Sequence, residues 1–158
     1  MKRPKYDKVL LNGTIEQLNE YIGQSGKCLV VDWRGYEQDL IDNLAELLPK
    51  AGLAWEWVDE EDDIYVTYRS LRHKIGLTLS PRDRCITLRR LNEILAGDYE
   101  VQVFRHTLGD DTHCFYAKRC EWWSAMQRLF PAEIERVFAR ITPEMDFPYM
   151  APAEGLQP

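Results

Sequence analysis

Ala54-Trp-Glu-Trp-Val-Asp59-Glu-Glu-Asp-Asp63-Ile-Tyr-Val-Thr-Tyr68 is where the hydrophobic period of this chain changes. Before it, apolar residues recur at helical spacing. Within it, Trp55 and Trp57 alternate with Glu56 and Val58, and Tyr65 and Thr67 alternate with Val66 and Tyr68. A period of two sends successive side chains to opposite faces, as in a strand. Lys74, Gly76 and Thr78 then alternate with Ile75, Leu77 and Leu79, so three antiparallel strands in a meander are predicted, with five consecutive carboxylates at the first turn.

On the N-terminal side, Thr14-Ile-Glu-Gln17 has the form of a capping box, and Ile15, Leu18, Tyr21 and Ile22 follow at helical spacing. Cys28 to Trp33 is an apolar run between Gly26 and Gly35, which predicts a buried strand. Leu40, Ile41, Leu44, Leu47 and Leu48 form one stripe of an amphipathic helix whose polar face carries Glu37, Asp39, Asp42, Asn43 and Glu46. On the C-terminal side, Ser80-Pro81-Arg-Asp83 signals a helix start, and Cys85, Leu88, Leu91 and Leu95 lead to Gly97 as a C′ glycine. Tyr99 to His106 and Thr112 to Lys118 alternate around Leu-Gly-Asp-Asp, a hairpin signal. A last helical region, 121–130 and 132–141, is broken at Pro131.

This order predicts an α+β fold: one domain over residues 1–141, a mostly antiparallel β-sheet covered on one face by three to four α-helices. Residues 142–158 contain Pro143, Pro148, Pro152 and Pro158 and are expected to form a proline-rich extended tail over the surface. With 45% hydrophobic residues and five Trp, the 158-residue chain has material for a core, which argues against disorder. The apolar run after the basic N-terminus, Val9-Leu10-Leu11, is too short for a signal peptide, and no run reaches the ~20 residues of a membrane span. A cytoplasmic location is the expectation. Cys28, Cys85, Cys114 and Cys120 show no paired spacing and read as free, packed thiols.

Charge is unevenly distributed along the chain. Asp32 to Asp63 holds eleven Asp or Glu against Arg34 and Lys50, whereas Ile64 to Asn92 holds seven Arg or Lys against Asp83 alone. If this segregation persists in the fold, one face is strongly negative, and such a face draws a cationic partner at long range. The candidate contacts are Asp59, Glu60, Glu61, Asp62 and Asp63, with Glu37, Asp39 and Asp42 as a second acidic row and Trp55 as an aromatic anchor. A charged hairpin tip also has a plain structural use, blocking edge-to-edge aggregation. The run lacks the alternate acids and the glycine of a calcium loop, so no metal is expected there.

Two other classes of function have their own residues. Arg69, Arg72, His73, Lys74, Arg82, Arg84, Arg89 and Arg90 form a basic 69–90 segment that would suit a nucleic-acid-binding regulator, although the net charge of −6 disfavours nucleic acid as a partner. A small enzyme would have to draw on Asp32, Asp111 and His113, because no phosphate-binding glycine loop, nucleophile elbow or His-Glu-x-x-His is present. His113 and Cys114 are strand neighbours on opposite faces and make a poor thiolate and base pair. His106, His113, Cys114 and Cys120 do not have zinc-knuckle spacing.

The block Ile64 to Ala117, above all Leu79-Ser-Pro-Arg-Asp-Arg-Cys-Ile-Thr-Leu-Arg-Arg-Leu-Asn92 with Asp98-Tyr-Glu100 and Asp110-Asp-Thr112 through Phe115, resembles small bacterial immunity proteins, which neutralise a secreted antibacterial toxin in the cell that produces it. It covers about a third of the chain. The resemblance implies a cytoplasmic, non-catalytic inhibitor that needs no cofactor and has a cognate protein toxin as its partner, without membrane attachment. It transfers no binding residue, so the acidic assignment above rests on charge alone.

Overall fold

The computed structural model describes residues 3–147, and an α+β architecture is found: six α-helices and two antiparallel sheets. The helices are α1 (Val9–Asn12), α2 (Ile15–Ile22), α3 (Glu37–Leu47), α4 (Asp83–Leu95), α5 (Cys120–Leu129) and α6 (Pro131–Val137). The strands are β1 (Leu29–Asp32), β2 (Ala54–Val58), β3 (Asp63–Tyr68), β4 (Leu71–Lys74), β5 (Tyr99–Phe104), β6 (Thr112–Arg119) and β7 (Phe138–Arg140). The larger sheet has the order β1-β6-β5-β7 and the smaller one β2-β3-β4. Beyond the four helices read from the sequence, the chain has the one-turn α1 and a clean division at Pro131.

The expectation of one-sided cover is corrected. His113 to Tyr116 on β6 are all buried, and the registers Leu29↔Phe115, Val31↔His113 and Val103↔Phe115 put these side chains on one face, with Cys114 and Tyr116 on the other. The first face packs with α3, α4 and the small sheet through Leu40, Ile41, Leu44, Ile64, Val66, Leu88 and Leu91. The second packs with α1, α2, α5 and α6 through Leu10, Leu18, Trp123, Met126, Ile134 and Val137. A strand buried on both faces reads as a continuous apolar run, and alternation is confined to strands near solvent.

Several local signals operate as read. Thr14 Oγ1 accepts from Gln17 N–H while the Gln17 side chain accepts from Thr14 N–H, closing the capping box. Gly97 takes the left-handed conformation just past α4, at φ 93°. Two local expectations fail. The third meander strand comes earlier than Lys74–Leu79, because Arg69 and Ser70 at φ 52° and 64° reverse the chain immediately after Tyr68, which pairs with Leu71. The helix predicted to run to Ile141 stops at Val137; Phe138 is extended and pairs with Phe104 at the edge of the large sheet. Sheet hydrogen bonds and the buried Phe138 ring outweigh continuation of the helix.

The segment Thr142–Phe147 does not simply run over the surface. Arg89 donates to the carbonyls of Pro143 (2.6 Å) and Met145 (3.0 Å), Arg82 pairs with Asp146 (3.6 Å), and Phe147 is fully buried, stacked on Trp33 at 5.7 Å and edge-on to Phe115 at 5.3 Å. Pro148, Pro152 and Pro158 lie outside the described residues. Deleting a buried Phe side chain leaves a large cavity, so Phe147→Ala is expected to lower unfolding free energy by about 3–5 kcal/mol, measured by urea denaturation.

Candidate partner-binding surface

The five carboxylates of the β2–β3 hairpin have three different environments. Asp59, Glu60 and Asp62 are exposed at the tip, with no cationic group within salt-bridge distance among the described residues. Asp62 is left-handed, at φ 49°, a conformation that Asp tolerates better than most residues. Glu61 has a partner: Lys74 lies at 3.7 Å, and the nearby Glu61 carboxylate raises the Tyr65 pKa above its ordinary value.

Asp63 is not a surface residue. It is 2% exposed, and its Oδ1 accepts from the backbone N–H groups of Ile64 (2.8 Å), Gly76 (3.1 Å) and Leu77 (3.2 Å). This placement corrects its assignment as a contact residue. A buried carboxylate needs several donors to offset lost hydration, and the chain after β4 turns back to supply them. Asp83, also buried, accepts from Thr78 N–H, Thr78 hydroxyl and Ser80 N–H, so two carboxylates pin the loop between β4 and α4 from both ends.

On α3 the acidic row is divided as well. Glu37 faces Arg84 at 3.5 Å, both mostly buried. Asp39 is exposed and has no such partner among the described residues, while Asp42 Oδ1 accepts from Trp55 Nε1–H at 2.8 Å. That bond brings β2 against the outer side of α3, so Asp42 and Trp55 share one surface. Trp55 itself is half-buried against the core; Tyr36, 70% exposed, and Trp57 are the more accessible aromatics. Trp33 is interior, its indole N–H donating to His113 Nδ1.

The separation of charge along the chain is only partly kept in space. Arg72 pairs with Glu56 (Nε to Oε1 2.8 Å) and lies over the Tyr65 ring, Lys74 with Glu61, and Arg84 with Glu37 and the Gly35 carbonyl. Each exposed pair contributes about 0–1 kcal/mol. The other arginines are also occupied. Arg69 binds Asp98, Arg82 pairs with Asp146, Arg89 holds the C-terminal segment, and Arg90 donates to the Lys74 carbonyl and Glu93. Among the described residues of this block, Asp59, Glu60 and Asp62 at the tip, Asp39 and Glu46 on α3, and Lys50 have no oppositely charged group within salt-bridge distance.

Asp32, Asp111 and His113 do not converge. Asp32 is exposed and binds Arg34 through its backbone N–H (3.0 Å) and Nε (3.2 Å), contacts that hold the carboxyl below its usual pKa. His113 is fully buried on the opposite face, as the registers Val31↔His113 and Asp32↔Thr112 require, and Asp111 lies exposed in the turn. Accepting the Trp33 N–H at Nδ1 places the imidazole proton on Nε2, which is buried without an acceptor among the described residues; burial lowers the His113 pKa. Burial also pushes Cys114 up to about 11 and Cys28 up to about 12, leaving both as thiols at neutral pH. The four cysteines are free, and no group of three or more His, Cys, Asp or Glu suited to a metal occurs among the described residues. Nor, among them, is any helix long and apolar enough to cross a membrane.

Searches against protein-family models, curated proteins and solved structures return no match for this chain.

Two expected outcomes separate structural from surface acids and histidines. Asp63→Ala orphans three N–H groups and is expected to cost about 3 kcal/mol, whereas the combined change Asp59→Asn, Glu60→Gln and Asp62→Asn should stay within about 1 kcal/mol, both read from urea midpoints. His106 and His113 have folded pKa values below the ordinary 6.5, so protonation favours the unfolded chain. Their stability contribution is complete above about pH 6.5 and is lost as pH falls below it. The thermal midpoint should therefore drop between pH 7.5 and 5.5, with a smaller drop in the double variant His106→Gln, His113→Phe.

Proposed function

We propose that this chain is a non-catalytic immunity protein, which acts in the cytoplasm by binding a cognate protein toxin and covering a basic active site. The observation that carries the reading is the inequality of the two charge blocks in the fold. Arg82, Arg84, Arg89 and Arg90 are each engaged within the molecule, while Asp59, Glu60 and Asp62 project from a hairpin tip with no such engagement. An exposed cluster of one sign steers diffusional encounter with a surface of the other sign. Asp39 and Asp42 on α3, with Trp55 beside them, extend the negative surface towards an aromatic contact. Glu37, Glu61 and Asp63 belong to its support, since each is already bound inside the molecule.

The nucleic-acid reading draws no comparable support, because phosphate contacts would have to displace four internal arginine bonds. The enzyme reading loses its residues, since Asp32 and His113 point away from each other.

The test is co-expression with the protein encoded by the neighbouring reading frame, expected to be a toxin, followed by stopped-flow association of the two purified proteins. The tip variant Asp59→Asn, Glu60→Gln, Asp62→Asn is expected to associate about tenfold more slowly at low ionic strength, with a flatter salt dependence and weaker protection of cells. Wild-type rate and full protection in that variant would overturn the assignment.

A further inference from the structure

The β1 edge of the large sheet borders a groove that the acidic hairpin does not explain. β1 pairs with β6 alone, and among the described residues the only other backbone bond it makes runs from Gly35 N–H to the Asp32 carbonyl. Between this edge and the start of α3 lies a cleft of about 170 Å³ lined by Val30, Asp32, Tyr36, Asp39, Asn43 and Arg84. Val30 and Tyr36 stand at its margins 45% and 70% exposed, two of the few large apolar side chains left in water.

The polar groups of the cleft are incompletely matched. Arg84 donates to the Gly35 carbonyl and to Glu37, but its buried Nε–H has no acceptor among the described residues. Buried donors without partners are uncommon, which marks the floor of this cleft as incompletely matched. The charges are also unequal: Asp32 and Asp39 line the cleft with Arg84. Asp32 is matched by Arg34 and Arg84 by Glu37, which leaves Asp39 in surplus.

We propose that this edge receives an extended cationic segment of a partner protein, added as a further strand to β1. Main-chain hydrogen bonds to the open edge supply affinity, and alternate side chains supply selectivity. An apolar side chain of the segment rests on Val30, and a Lys or Arg at the alternate position, facing α3, lies against Asp39 beside Tyr36. The site is separate from the hairpin tip and does not require the partner to be a toxin.

Panning a phage-displayed random dodecapeptide library against the full 158-residue chain tests this without knowing the partner. Recovered peptides are expected to alternate β-branched or aromatic residues with Lys or Arg. As labelled synthetic peptides they should slow hydrogen exchange at residues 29–32. Their affinity, by fluorescence anisotropy, should fall at least about tenfold with Val30→Asp or Asp39→Lys and stay unchanged in the hairpin-tip triple variant. Tyr36→Ser, at a well-exposed position, carries the test if Val30→Asp perturbs folding. Failure to enrich any peptide, peptides lacking this pattern, or binding that survives Val30→Asp and Tyr36→Ser would each overturn the proposal. Binding lost only in the tip variant would overturn it too, while leaving the charge-steered function intact.

Discussion

β6 crosses the molecule with His113, Cys114, Phe115 and Tyr116 all excluded from water, and a strand in that position needs a complete cover on each face. An uncovered face would leave aromatic surface in water at roughly 25 cal/mol per Å². The rest of the arrangement follows from this constraint. The small sheet, α3 and α4 close one face, and α1, α2, α5 and α6 close the other. Phe147 completes the first cover by stacking on Trp33, which ties the C-terminal segment to the turn after β1, more than a hundred residues earlier. The large sheet ends at β1 and β7, and these edges are where further backbone can attach.

The same economy governs charge. Water solvates a carboxylate at a hairpin tip with no help from the protein, whereas a carboxylate taken inside must collect donors. Asp63 and Asp83 are of the second kind, and the N–H groups they collect belong to Gly76, Leu77, Thr78 and Ser80, residues of a loop with little other regular bonding. Arginines serve as the complementary ties. Arg89 holds two carbonyls of the C-terminal segment and Arg90 holds the end of β4. These internal duties leave Asp59, Glu60 and Asp62 without a cationic group in salt-bridge distance among the described residues, and the proposed charge-steered function rests on those three.

Much of the fold was legible in the chain because its signals are local. Thr14 with Gln17, Pro131, Gly97 and the leucine stripe of α3 each act within one or two helical turns, and each works as written. The turn at Arg69-Ser70 was not legible, since neither residue is the Gly or Asn that positive φ usually calls for. β7 was not legible either: Phe138-Ala-Arg140 has no strand alternation long enough to read, and it is extended because β5 offers it partners. The candidate surface was legible as charge and not as geometry. Five adjacent carboxylates look alike in a row of letters, yet two of the three hydrogen bonds that hold Asp63 inside come from residues more than ten positions away.

By itself, then, the sequence determined most of the element types, the α+β class and the excess of acid over base, because periodicity, capping and composition are properties of neighbouring residues. Tertiary structure decided that the large sheet is covered twice, that Phe147 is core, which acids remain available, and that β1 pairs with β6 alone among the described residues. Those outcomes depend on which distant groups supply hydrogen bonds and exclude water, and that is settled only when the chain is packed.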